Sequence, residues 1–262
     1  MAQRAAALCV ATVAASLGVL AAEIGADAPR RAVSTTAIAL PAPVAPAFRP
    51  GPPRRLGARR HRSLWAPVKR PAPVRSAPDV GAPSVGMLEP TTPEGTRNVV
   101  AVAARGQDRA RRRWVKVRLA VLPNGSTGWV PRDTLGGYGT VLTHLVVDTS
   151  ALTATLYRQG RPVLRAPVGI GTAATPTPTG DFYVRNRLTR YRSPAYGPVA
   201  FGTSARSPDA TDWPAGGFVG IHGTDRPDLV PGRVSHGCIR FRNADILVLA
   251  RRMPVGTPVT IR

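Results

Sequence analysis

The chain of 262 residues contains two cysteines, two lysines and 14 acidic residues. Cys9 lies in an apolar N-terminal run and Cys238 near the other end, so no CxxC pair exists, and no HExxH segment is present. Structural zinc sites are rich in paired cysteines and many catalytic ones sit on an HExxH helix, so zinc is disfavoured. Lysine occurs only at Lys69 and Lys116, leaving 34 of the 36 basic residues as arginine and a formal net charge of +22. Such an excess points to an anionic neighbour: nucleic acid, an anionic membrane surface or an anionic polymer. Nucleic acid is the poorest of these. The basic run at residues 109–113 lacks the interleaved aromatics on which single-stranded bases stack, and reads instead as a solvated loop. No internal repeat is visible.

What is present at the N-terminus selects a compartment. A weakly basic start at residues 1–4, an apolar run over 5–22, and small residues around Ala21, Ala22, Ala26 and Ala28 predict a signal peptide over residues 1–28. The run is also just long enough to cross a bilayer of about 30 Å, which makes a membrane anchor the alternative. Either way the chain is expected to be extracytoplasmic: in the cell wall or periplasmic space, secreted or anchored. Cys9 then reads as a small apolar residue of that segment. In an oxidising compartment Cys238 has no internal disulfide partner, so it must be reactive or deeply buried.

Residues 29–85 are dense in proline, alanine and arginine. Proline removes backbone donors and fixes φ, so this stretch is expected to be a disordered, semi-rigid linker, with Trp65 and His61 solvated within it. Its arginines suit an anionic wall polymer or lipid headgroups, or serve only as a solubilising tether. From residue 86 the composition changes. WVKVRLAV at 114–121 alternates apolar and polar residues, and Pro123-Asn124-Gly125-Ser126 supplies a turn. Residues 86–137 resemble a small SH3-like β module, with Trp114 and Trp129 in its core.

A boundary is expected at Gly136-Gly137. Beyond it, residues 143–149, 152–158 and 163–169 read as three strands of an antiparallel meander, with His144 structural. An irregular loop, GTAATPTPTGDF, follows and is a candidate substrate rim. Tyr191, Tyr196, Phe201 and Trp213 are expected to supply a lid or core edge. Near the end, Asn243 can cap a helix whose apolar positions Ile246, Leu249, Ala250 and Met253 keep helical spacing, with Pro254 stopping it. The prediction is a mainly β fold with one short helix.

Chemistry concentrates at residues 221–241, IHGTDRPDLVPGRVSHGCIRF. Two of the four histidines stand there with Cys238. A thiol beside an imidazole can be held as the thiolate, which is the nucleophilic form. Two bases compete: His236 is two residues from Cys238, and His222, sixteen residues back, can approach across a loop. Gly237 permits a tight bend, amides near Cys238 can line an oxyanion site, and Arg240 offers a fork suited to a carboxylate.

Ile221-His222-Gly223 followed by Ser235-His236-Gly237-Cys238-Ile239-Arg240 resembles the active-site signature of the L,D-transpeptidases of bacterial cell walls, the YkuD-type catalytic domain. Thr177-Pro178-Thr179-Gly180 matches a loop of the same family. The resemblance covers residues 140–262 and implies a β-sandwich catalytic domain acting on peptidoglycan stem peptides, with no metal or cofactor. It implies Cys238 as nucleophile and His222 as proton acceptor and donor, oriented by the carbonyl of Gly223. His236 and Ser235 would shape the pocket and Gly237 the oxyanion site, while Arg240, Gly223, Thr179 and Gly180 would meet substrate. The expected reaction releases terminal D-alanine and forms a 3→3 cross-link. An L,D-carboxypeptidase using water as acceptor, and a catalytically degenerate wall-binding protein, are the alternatives.

Overall fold

The computed structural model describes residues 54–55, 61–189, 193–210, 213 and 216–262, and these fall in one compact unit. The expected signal or anchor at 1–28, Cys9, Tyr191 and the greater part of the expected linker lie outside the described residues. Among the described residues no helix is long and apolar enough to cross a membrane.

An eight-stranded sheet comes first: β1 (Arg54–Arg55), β2 (Ser63–Pro67), β3 (Ala72–Arg75), β4 (Ser84–Leu88), β5 (Val99–Gln107), β6 (Arg113–Arg118), β7 (Thr127–Pro131) and β8 (Gly139–Val141). Its order is β4-β3-β7-β6-β5-β2-β8, with β1 paired to β5. The linker expected over 29–85 therefore gives way to sheet by Ser63, and the boundary expected at residue 86 falls inside β4. The physical reason is legible afterwards. Within the proline-rich stretch Ala66, Val68, Ala72 and Val74 are buried, so the apolar residues recur at strand spacing among the prolines. Trp65, expected in solvent, lies half-buried in β2. A Cβ added at Gly139 or Gly256 would fall 2.2 or 2.4 Å from its indole, so only glycine fits beside the ring. Trp114 and Trp129 are buried with Ala104, and residues 109–113 are an exposed loop with the edge of β6.

The second sheet has ten strands: β9 (Thr143–Asp148), β10 (Thr153–Arg158), β11 (Arg161–Pro167), β12 (Gly169–Gly171), β13 (Gly180–Leu188), β14 (Ala200–Arg206), β15 (Phe218–His222), β16 (Gly232–Ser235), β17 (Ile239–Arg240) and β18 (Pro258–Ile261). Their order is β11-β10-β9-β18-β13-β14-β15-β17-β12-β16. The meander β9-β10-β11 is antiparallel as its turn chemistry requires, and β9 buries Thr143, Leu145 and Val147 at alternate positions. Strand β13 joins two halves. Its first residues pair with β18 and its last with β14, the register shifting between Val184 and Asn186. Leu145, Val184, Phe201, Ile221, Ile239 and Ile261 meet in one core.

A single α-helix, α1 (Asn243–Arg252), occurs among the described residues, so the fold is mainly β. Ile246, Leu249 and Ala250 are its buried face, and Asp245 near its start and Arg251 and Arg252 near its end complement the helix dipole. Asn243 is not the cap. Arg242 holds that position with no side-chain bond, and Asn243 Oδ1 instead accepts the N–H of Thr224 at 3.0 Å.

Strand β18 sits between β9 and β13. Here Ile261 is 1 % exposed. Ile261→Ala is expected to cost about 2–5 kcal/mol in urea unfolding, the range for deleting a buried aliphatic group; a cost under about 1 kcal/mol would mean the strand frays without consequence.

Candidate active site

Strand β15 is buried along its whole length and divides its side chains between two surroundings. Val219 and Ile221 enter the main core, whereas Phe218 joins a second cluster with Tyr196, Trp213 and Cys238. Period-two alternation puts Gly220 and His222 on the Phe218 face. Strand β17 pairs with β15 in parallel, Ile221 opposite Ile239 and His222 opposite Arg240. Cys238, the residue before β17, is thereby brought beside Gly220, whose N–H donates to Sγ at 3.3 Å. The thiol is 6 % exposed.

His222 is 3 % exposed, and its Nδ1 lies 2.6 Å from the carbonyl oxygen of Gly223. A carbonyl only accepts, so Nδ1 carries the proton and Nε2 is the basic nitrogen. The ring centroid is 4.4 Å from that of Tyr196. Gly223 is confined as well: an added Cβ would meet Asn243 Oδ1 at 2.3 Å. Thus Asn243 braces the segment that supplies the histidine's carbonyl partner.

The turn before Cys238 is held by Ser235, which is buried. Its hydroxyl donates to the carbonyl of Cys238 at 2.6 Å and accepts the N–H of Gly237 at 3.2 Å. Gly237 has φ of 111°, a conformation that side-chain-bearing residues rarely adopt. Its N–H is engaged by Ser235, and Gly237 shapes the turn. His236 is exposed on the same turn.

A threonine-rich loop clamps this turn from the other side. Thr177 Oγ1 accepts the N–H of Gly171 and donates to the carbonyl of Gly237, both at 2.9 Å. Thr175 Oγ1 and the N–H of Thr172 both reach the carbonyl of Ser235, at 3.1 and 3.0 Å. Of the expected rim residues, Thr179 is exposed and Gly180 begins β13 opposite Ile261. The contact to the cysteine turn therefore comes from Thr172, Thr175 and Thr177. The density of threonine in that loop was the available signal. Arg240 is half-buried, and its Nε is buried with no hydrogen-bond partner among the described residues.

The remaining histidines lie elsewhere. His144 Nε2 meets Thr260 Oγ1 at 2.9 Å, and burial holds its pKa below the ordinary histidine value. With His61 it lines a cleft of about 1250 Å³ that contains neither Cys238 nor His222. Among the described residues no three His, Cys, Asp or Glu side chains gather as metal ligands would.

Residues 142–261 match the YkuD model, described as the L,D-transpeptidase catalytic domain. The chain is 39 % identical over 122 residues to the putative L,D-transpeptidase YkuD of Bacillus subtilis, covering 47 % of this chain and 67 % of that protein. It is 32 % identical over 160 residues to the probable L,D-transpeptidase ErfK/SrfK of Salmonella typhimurium, covering 53 % of this chain and 50 % of that one. Among solved structures, an Enterococcus faecium L,D-transpeptidase is similar at 27 % identity and a TM-score of 0.36, over 46 % of this chain and 49 % of that one. The chain spans about half the length of that structure and of the Salmonella relative. The chain belongs to the YkuD family of L,D-transpeptidases.

Thr177 is the clamp residue most open to test. Thr177→Val keeps the shape but leaves the Gly171 N–H and the Gly237 carbonyl unpaired. The expected result is a loss of about 1–3 kcal/mol in urea unfolding, the usual cost of an unsatisfied buried polar group, with slower alkylation of Cys238 by iodoacetamide. Unchanged stability and alkylation would remove the clamp from the site.

Proposed function

We propose that this chain is a cell-wall L,D-transpeptidase that forms 3→3 peptidoglycan cross-links through a thioester on Cys238, releasing terminal D-alanine. The observation that carries the proposal is a buried thiol accepting the Gly220 N–H near an imidazole whose Nδ1 is fixed by the Gly223 carbonyl. Sγ attacks the carbonyl carbon of the third residue of a stem peptide. The peptide C–N bond breaks, and D-alanine leaves as an amine that takes its proton from the His222 imidazolium. The side-chain amine of a second stem then attacks the thioester and gives up its proton to His222. The C–S bond breaks, and the thiol site is restored. Arg240 supplies a half-buried guanidinium for the stem, and His236 and Ser235 shape the pocket. The substrate is extracytoplasmic, so the proposal includes export by the apolar N-terminal run. The arginine-rich stretch that follows it would hold the enzyme at an anionic wall polymer or membrane surface.

Cys238→Ala should lower D-alanine release from tetrapeptide stems by roughly 10³-fold or more, the scale for losing a covalent nucleophile. Undiminished release would sink the proposal. Release without a cross-linked product, in the presence of an amine acceptor, would make the protein a carboxypeptidase. Tested by iodoacetamide, His222→Ala should raise the pH at which Cys238 becomes reactive, while His236→Ala should leave it near the wild-type value. The reverse outcome would transfer the role of base to His236.

A further inference from the structure

One carboxylate from the first sheet's side of the molecule reaches the wall of the site. Glu94 lies in the turn closed by the bridge between Thr91 and Arg97, and its side chain is 2 % exposed. Arg185, whose side chain is 4 % exposed, grips it with two bonds, Nη1 to Oε2 at 2.9 Å and Nη2 to Oε1. Asn186 Nδ2 donates to Oε2 at 3.0 Å, and Trp213 Nε1 donates to Oε1 at 2.7 Å. Burial alone would raise the pKa of Glu94, but the bonds and charge of Arg185, with help from Trp213 and Thr92, outweigh it and hold the carboxyl below its ordinary value. The group is therefore an anion at neutral pH.

The indole that this anion holds covers the backbone of the site. A Cβ added at Gly220 would fall 2.1 Å from Cζ3 of Trp213, so the ring rests directly on the residue whose N–H donates to Cys238 Sγ. The same indole meets Tyr196 edge-on, with centroids 5.8 Å apart, and Tyr196 packs against His222 at 4.4 Å. One residue thus lies against the supports of both the thiol and the imidazole. An apolar neighbour could fill the space around the indole, but only an acceptor at Nε1 fixes its rotation in the plane of the ring.

We propose that Glu94 is a positioning residue for the reaction: its carboxylate pins the Trp213 indole, and the indole in turn holds Gly220 against Cys238 Sγ and Tyr196 against His222. The inference rests on Cys238 being the nucleophile, as set out above. It makes the region preceding the catalytic match a working part of the site.

The test uses the full chain with Glu94→Gln, Trp213→Phe and the double variant. Trp213→Phe removes the indole donor together with one of its two rings and leaves the pair of Glu94 with Arg185 intact, so it tests the inference even if Glu94→Gln fails to fold. Each single variant is expected to lower kcat for D-alanine release about tenfold or more, the scale of a small misplacement at a reacting centre, with KM within about twofold. The pH midpoint of Cys238 alkylation by iodoacetamide should rise in both. Because both changes cut one link, the double variant should be no slower than the worse single. Folded variants with wild-type kcat and midpoint, or effects that multiply in the double variant, would overturn the inference. Wild-type protein whose Cys238 resists alkylation at every pH would instead overturn the nucleophile assignment, and the inference with it.

Discussion

The parallel pairing of β15 with β17 is the constraint from which the site follows. It sets Ile221 opposite Ile239 and His222 opposite Arg240, which places Gly220 beside Cys238. Successive side chains of a strand point to opposite faces, so a slip of one residue would carry Cys238 away from the donor and the imidazole. A two-residue strand has little hydrogen bonding of its own to resist that slip. The register is fixed from outside: Gly169 of β12 pairs with Arg240, and the N–H of Phe241 donates to the carbonyl of His222 at 2.8 Å.

The turn leading into β17 is held by polar side chains because its backbone is buried. A buried carbonyl or N–H without a partner costs about 1–3 kcal/mol, and an irregular turn cannot satisfy its own groups. Ser235 and Thr177 occupy those groups with hydroxyls, which can donate and accept at once. Within the same arrangement Gly237 bends the turn at a φ of 111° and donates its N–H to Ser235.

Much of this was legible in the sequence, and the limits are instructive. The signature around Cys238 marked the reactive turn, and the strand-like runs of β9, β10 and β11 marked the mainly β core. The helix was visible from the spacing of Ile246, Leu249 and Ala250, but its cap was not. Asn243 suits a cap by residue type, yet it is used for Thr224, a contact set by tertiary structure alone. Strands β2 and β3 were hidden because proline density, averaged over 29–85, masked the alternation of Ala66, Val68, Ala72 and Val74. Trp213 and Glu94 could not be paired from sequence, since 119 residues separate them and neither stands in a motif.

The buried pair of Glu94 and Arg185 shows why the catalytic match at 142–261 is not a sufficient description of the working unit. Arg185 and Arg206 lie over the ring of Phe218 at 3.9 and 4.0 Å, on its two faces, since one face has room for one guanidinium at that distance. Burial lowers the pKa of Arg206, with the charge of Arg185 adding to the effect. Two cations packed on one ring next to the site require an anion. Removing one member of a buried pair costs about 3–5 kcal/mol, because the remaining charge is left without water or partner. The anion is Glu94, which precedes the match. The first sheet adds a second grip through Asn124, whose side chain donates to the carbonyl of Arg206 at 2.8 Å and accepts its N–H at 2.9 Å. A catalytic half cut away from these residues would expose an uncompensated Arg185 and release the end of β14. The smallest part that keeps the site's electrostatics closed therefore begins well before residue 142.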